Sequence, residues 1–175
     1  MTDIRDGKQY AVFAAGTGPL TRCWMGENLN YGTMIPFQQS QTANCLREKY
    51  CNGDEERNCQ STGGYYQWGE VMDYETAPGS QGICPPGWHI PDQTEWHDLL
   101  LSLVPDGTPP VDGIAGSELK EPTPVPGFHA LLKGIGFLNN QWRFGEGFLA
   151  GAMFWTSGMT ASQRPVAREI GRAHV

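Results

Sequence analysis

The apolar positions of this chain fall in short groups separated by glycine, proline and turn formers. The clearest group is Trp96, Leu99, Leu100 and Leu103, spaced i, i+3, i+4 and i+7, which is one face of a helix. The segment "PDQTEW" ahead of it supplies a start signal. Asp92 can cap the first free backbone N–H groups, and Glu95 suits the positive end of the helix dipole. Pro105 and Gly107 supply the stop. A second helix is predicted over Gly63–Tyr74, where Tyr65, Trp68, Val71 and Met72 share one helical face. Gly69 lowers its propensity by about 1 kcal/mol relative to alanine, so packing must decide it.

Elsewhere the pattern is that of strands and loops. "KQYAVFAA" (Lys8–Ala15) alternates weakly and is rich in strand formers. "CWMGENLNYG" reads as a second strand ending in turn chemistry, and Met34–Asn44 as loop. Pro105–Gly127 reads as a long irregular connection. From Gly127 to Ser157, short apolar groups alternate with glycine and turn pairs, as in a meander of short strands. Asn139 and Asn140 mark a hairpin turn between "IGFL" and "WRFG", and "AMFWTS" reads as a further buried strand.

Composition narrows the class. A chain of 175 residues is long enough for one domain with a real core. Only 18% of residues are charged, against about a quarter in average domains, while glycine (23) and proline (13) are abundant. The net charge of −7 disfavours a nucleic-acid partner, because an acidic surface repels phosphates. No apolar run approaches the roughly 18 residues of a membrane span. Met1 leads directly into "TDIRDGKQY", with no basic start and apolar stretch.

Five cysteines are present: Cys23, Cys45, Cys51, Cys59 and Cys84. Cys51 and Cys59 flank a polar stretch rich in turn formers, which the sequence predicts as a loop. Their spacing favours a disulfide over zinc, for which no close CxxC pair exists, with free thiols the other reading. A disulfide implies an oxidising compartment, and a signal sequence would then lie upstream of this segment. The last six residues, "IGRAHV", match what a common sequencing adapter encodes in one frame. On that reading the domain spans residues 1–169, Ile170–Val175 are an artefact, and the natural chain continues past Glu169.

The chemical candidates are weak. His89, Asp92, Glu95 and His97 sit close in sequence, but not at HExxH spacing. The reading is structural: His89 bonds a loop, Glu95 caps, His97 is solvated. "NGDEERN" (Asn52–Asn58) lacks the spacing of a calcium loop and reads as a solvated turn. No metal site, cofactor or catalytic residue is therefore assigned. Trp24, Trp68, Trp88, Trp96 and Trp155 lie in apolar contexts and read as core. Trp142, beside Asn139 and Asn140, is the candidate for ligand contact.

The segments "DIRDGKQY", "CWMGENLNYG", "EKYCNGDEERNCQSTGGYYQWGEVMDY", "QGICPPGWHIPDQTEW", "GFHALLKG" and "FWTS" together resemble the Fibrobacter succinogenes major paralogous domain family. That resemblance implies a secreted or surface-attached bacterial domain, often on lipoproteins. It also implies that the cysteine of "CPPGWH", Cys84, pairs with a cysteine in a closing "VRC"-like strand. No such motif occurs here, so Cys84 would be unpaired, and Cys23 with Cys45 would form a weaker candidate pair. "HIPDQTEW" is similar to the "RLPTEAEW" segment of formylglycine-generating-enzyme-like proteins, a branch of the C-type lectin-like fold. This implies an α+β domain: two helices on short, twisted, mostly antiparallel strands with long loops. The reactive C-terminal cysteines of that enzyme branch have no counterpart after Cys84. The calcium-dependent sugar motifs of lectins are also absent, with "EPT" (Glu121–Thr123) a partial echo.

The expected function is a noncatalytic extracellular or cell-surface module for adhesion or for binding a ligand such as carbohydrate. The alternatives are a secreted formylglycine-generating-type enzyme with its reactive cysteines beyond this segment, and a structural spacer in a larger surface protein.

Overall fold

The computed structural model describes residues 1–16, 18–103, 135–137, 141–143 and 152–170. The expected loop over Pro105–Gly127, and the turn residues Asn139 and Asn140, lie outside them.

The described chain is α+β, with short strands and short helices. Strands β1 (Val12–Ala15) and β2 (Arg22–Met25) pair antiparallel, Phe13 opposite Trp24. Only the second half of the predicted Lys8–Ala15 strand joins this hairpin, while Gln9 instead bridges to Thr2. Strands β3 (Thr33–Met34) and β4 (Glu48–Lys49) pair in parallel. Strands β5 (Ile135–Phe137) and β6 (Gln141–Arg143) pair antiparallel, as expected for these two segments. The longest strands, β7 (Ala152–Met159) and β8 (Pro165–Ile170), pair antiparallel, with a register irregularity between Trp155 and Met159. Each described sheet has two strands.

Three helices interleave with these strands among the described residues: α1 (Glu56–Thr62), α2 (Trp68–Val71) and α3 (Gln93–Leu103). The predicted α3 forms as its pattern requires, burying Trp96, Leu99 and Leu100. The helix expected over Gly63–Tyr74 contracts to the four residues of α2. Tyr65 is held extended by main-chain bonds to Tyr50 (2.9 and 3.0 Å), which blocks helix growth from the N-terminal side. Beyond α2, Asp73 and Tyr74 both adopt positive φ (56° and 61°), which ends it. The stretch between Cys51 and Cys59, expected as a loop, is instead a 3-10 turn (Asn52–Asp54) followed by α1.

Gly63 and Gly82 permit the two tightest of the close approaches made by positive-φ glycines. At Gly63 (φ +74°), a Cβ would lie 2.3 Å from Asn28 Cβ. At Gly82 (φ +54°), it would lie 2.1 Å from the Val71 carbonyl oxygen.

Among the described residues, two apolar clusters form the core. One joins the β1–β2 hairpin to α3 through Phe13, Trp24, Trp96, Leu99 and Leu100, with Phe154 of β7 against it. The Trp24 and Trp96 rings stand 5.3 Å apart and tilted, and Phe154 lies 5.7 Å from Trp96. The other cluster gathers Val71, Met72, Ile83, Cys84 and Ile90, flanked by Trp68, Trp88 and Trp155. All five tryptophans assigned to the core thus pack in it or on it.

The Cys51–Cys59 disulfide forms, and both residues are buried. It ties the end of β4 to α1, a helix of seven residues, too short to be stable alone. Replacing both cysteines by serine should lower unfolding stability by about 2–3 kcal/mol. Urea denaturation of the oxidised protein and the variant measures the difference.

Candidate functional site

At the N-terminus of α3, Asp92 and Glu95 cap each other. The Glu95 N–H donates to Asp92 Oδ1 (2.8 Å), and the Asp92 N–H donates to Glu95 Oε2 (3.0 Å). This is the start read from the sequence. His89 differs from expectation: its Nε2 lies 2.9 Å from both carboxylate oxygens of Glu95, not against a loop. Arg22 of β2 approaches the same carboxylate at 3.4 Å. Glu95 is buried, and an imidazole and a guanidinium cover its outer face. An imidazole oriented by a carboxylate is half of an acid–base unit. Among the described residues, no hydroxyl or thiol is bonded to His89 to complete a nucleophilic pair. His97 is exposed on α3. No group of three metal-ligating side chains occurs among the described residues.

A second constellation holds the N-terminal segment. Asp3, with no exposed surface, pairs with Arg5 through contacts of 2.6 and 2.9 Å. Arg5 also donates to the carbonyls of Ile83 (2.9 Å) and Cys84 (3.1 Å), and lies 3.7 Å above the Tyr31 ring. One guanidinium thus ties three distant segments together. Its bonds to the Asp3 carboxylate hold that group below the ordinary carboxyl range. Cys84 is free and buried, and burial pushes its thiol up to about 12. It therefore stays protonated at neutral pH, where a thiol is a poor nucleophile. Cys23 and Cys45, the weaker candidate pair, are both free and exposed. Cys23 lies opposite Ala14 in β2, and Cys45 adopts a positive φ (66°) in the bend that leads into β4.

A third constellation surrounds β4. Lys49, 1% exposed, donates from Nζ to Asn30 Oδ1 (2.6 Å) and Glu56 Oε1 (2.7 Å). Lys8 Nζ donates to the Asn30 carbonyl oxygen. Beside it, the buried Glu70 accepts from the Glu48 N–H (2.8 Å) and the Tyr74 hydroxyl (3.0 Å). Burial raises the Glu70 carboxyl and, with the Glu70 charge, the Tyr74 hydroxyl. Glu48 in turn accepts from the Thr42 N–H and from Asn44, both at 3.0 Å. None of these buried polar groups was singled out from the sequence. Among Glu48, Lys49 and Glu56, only Glu56 falls in a stretch the sequence reads as a solvated turn, "NGDEERN".

Of the candidate ligand residues, Trp142 lies in β6, opposite Gly136 of β5. Asn139 and Asn140 lie outside the described residues. The "NGDEERN" segment is tied down more than a solvated turn would be. Asp54 accepts from the Phe37 N–H (2.9 Å), and Asn58 donates to the Asn52 carbonyl (2.7 Å).

Comparison with known proteins places the chain. The family model of the Fibrobacter succinogenes major domain matches residues 21–175. The chain belongs to that family. No curated protein and no solved structure matches it. Among the described residues, no helix is long and apolar enough to cross a membrane.

The Asp3–Arg5 pair makes a pH-dependent contribution with a definite sign. A carboxylate held low in the folded state stabilises the fold above its ordinary value, and that contribution disappears as pH falls through the folded value. At pH 7, Asp3→Asn should cost about 2 kcal/mol, because the Arg5 bonds are charge-assisted. The gap between variant and wild type should start to narrow below about pH 4, the ordinary carboxyl value, and close only as pH falls through the lower folded value of Asp3. Urea midpoints measured from pH 7 to pH 2.5 check both statements.

Proposed function

We propose that this domain is a noncatalytic module displayed outside the cell or on the cell surface, as part of a bacterial surface protein or lipoprotein. Its role on this reading is adhesion or ligand binding, with carbohydrate the leading ligand class. The observation that carries the reading is the buried Cys51–Cys59 disulfide within a loop-rich domain. Disulfides persist in oxidising compartments, and small exported domains use them to fix loops that a modest core cannot hold. Rigidly held loops are good sites for recognition. The same reasoning supports a C-type lectin-like arrangement, in which α3 and the short strands carry long loops.

The ligand contact assigned on this reading is Trp142 with Asn139 and Asn140, an indole and two carboxamides close in sequence. Such a combination suits sugars, which offer apolar ring faces and hydroxyls together. The rivals are a spacer, which should bind nothing, and a formylglycine-generating-type enzyme. The isolated imidazole–carboxylate pair of His89 and Glu95 gives the enzyme reading little to work with.

Glycan-array screening of the oxidised domain tests the proposal. It should retain at least one glycan class, and Trp142→Ala should weaken that binding by about tenfold, near 1.4 kcal/mol. No retention of any glycan by folded, disulfide-bonded protein would contradict carbohydrate binding and favour the spacer. Oxidation of a cysteine-containing peptide by the intact protein would favour the enzyme.

A further inference from the structure

We propose that Lys49 and Asn30 are built to join through an intramolecular isopeptide bond, with Glu56 as the proton carrier. The three side chains meet at one point. Lys49 Nζ lies 2.6 Å from Asn30 Oδ1 and 2.7 Å from Glu56 Oε1. The Asn30 carbonyl carbon is one C=O bond, about 1.2 Å, beyond that oxygen. It is therefore within about 4 Å of the amine, close to a near-attack distance.

Both reacting residues are buried and fixed. Lys49 is 1% exposed and Asn30 is 7% exposed. Lys49 ends β4, and its carbonyl accepts from the Ile35 N–H at 2.9 Å. The Asn30 main chain is held on both sides, its N–H donating to the Tyr10 hydroxyl (3.1 Å) and its carbonyl accepting from Lys8. Glu56 opens α1, which the Cys51–Cys59 disulfide ties to the end of β4. Water is thus largely excluded from the amine and the carboxamide, while the fold holds them together. Glu56 is itself half exposed, which gives the departing proton and ammonia a route to solvent.

The step balances without an oxidant or a second reactant. Glu56 takes a proton from the Lys49 ammonium and frees its lone pair. Nζ attacks the Asn30 carbonyl carbon, and a tetrahedral intermediate forms. The Nζ–Cγ bond is made and the Cγ–Nδ2 bond breaks. Protons from Nζ pass through Glu56 to Nδ2, which leaves as ammonia and takes up the remaining proton as ammonium. A lysine ammonium and a carboxamide become a secondary amide and an ammonium ion. The product also has a lower desolvation cost, because a neutral amide replaces a buried ammonium. The crosslink would bridge residues 19 apart in sequence, clasping the loop between Asn30 and β4 beside the disulfide.

Intact-mass spectrometry of the oxidised protein, with peptide mapping, tests this. The folded chain should weigh one ammonia less than its disulfide-bonded sequence. Trypsin should fail to cut after Lys49, and a branched peptide should join Asn30 to Lys49. Glu56→Gln keeps an acceptor for Lys49 but cannot carry the proton. It should form the Cys51–Cys59 disulfide and keep its full mass, as should Lys49→Arg. Wild-type protein with an intact disulfide that keeps its full mass after days at neutral pH would overturn the proposal. So would an ammonia deficit that maps to a succinimide at Asn52–Gly53 with no branched peptide.

Discussion

A buried peptide group without a hydrogen-bond partner costs about 1–3 kcal/mol, and two-stranded sheets leave many such groups outside any ladder. This domain meets that constraint with side chains. Tyr66 sets its hydroxyl between the N–H of Tyr31 (2.9 Å) and the carbonyl of Tyr31 (2.8 Å). Gln41, buried, donates to the Glu48 carbonyl (2.9 Å) and accepts from the Gln67 N–H (2.6 Å). Tyr50 donates to the Gln39 carbonyl (2.7 Å) and accepts from the Gln41 N–H (3.2 Å). Each bond links segments that no strand pairing joins. The architecture is therefore a set of small elements stitched by long-range side-chain bonds, with the apolar clusters filling the space between them.

The tryptophans show the same division of labour. The Trp68 indole N–H donates to the Thr156 carbonyl (2.9 Å), and that of Trp155 donates to the Tyr66 carbonyl (2.8 Å). These two bonds lock the irregular middle of β7 onto α2 and the chain before it. Ser157, buried there, donates its N–H to the Pro91 carbonyl and accepts from the Gly79 N–H, both at 2.9 Å. The junction ahead of α3 is thereby held from both sides. The crowded "GICPPGWHIPDQTEW" segment serves as structure: Ile83, Cys84 and Ile90 fill the core, Asp92 and Glu95 start the helix, and His89 closes over the Glu95 carboxylate.

Features governed by local pattern could be read from the sequence. The spacing from Trp96 to Leu103 and the Asp92–Glu95 pair specify α3, because side-chain period and capping act within a few residues. The β5–β6 pairing is legible in the alternation of short apolar groups, and the disulfide in the cysteine spacing. Features set by distant contacts could not be read this way. Tyr65 belongs to a helical pattern, yet bonds from Tyr50 hold it extended. Glu56 to Thr62 carry no apolar period, yet the disulfide and Gly63 define a helix there. Lys49, Glu48 and Glu70 look like solvated charges, and only the tertiary fold supplies the partners that let them be buried. The candidate ligand residues rest on local composition alone, and of these the described structure holds only Trp142, within β6.

The stitching account is tested most directly at Tyr66, by comparing Tyr66→Phe with wild type in amide hydrogen exchange and urea unfolding. The ring remains and only the hydroxyl is lost, so packing is preserved while the Tyr31 N–H and carbonyl lose their partner. The account predicts a loss of about 2 kcal/mol, with faster exchange at the Tyr31 amide and no change in the α3 amides under native conditions. An unchanged unfolding midpoint together with an unchanged Tyr31 exchange rate would contradict it.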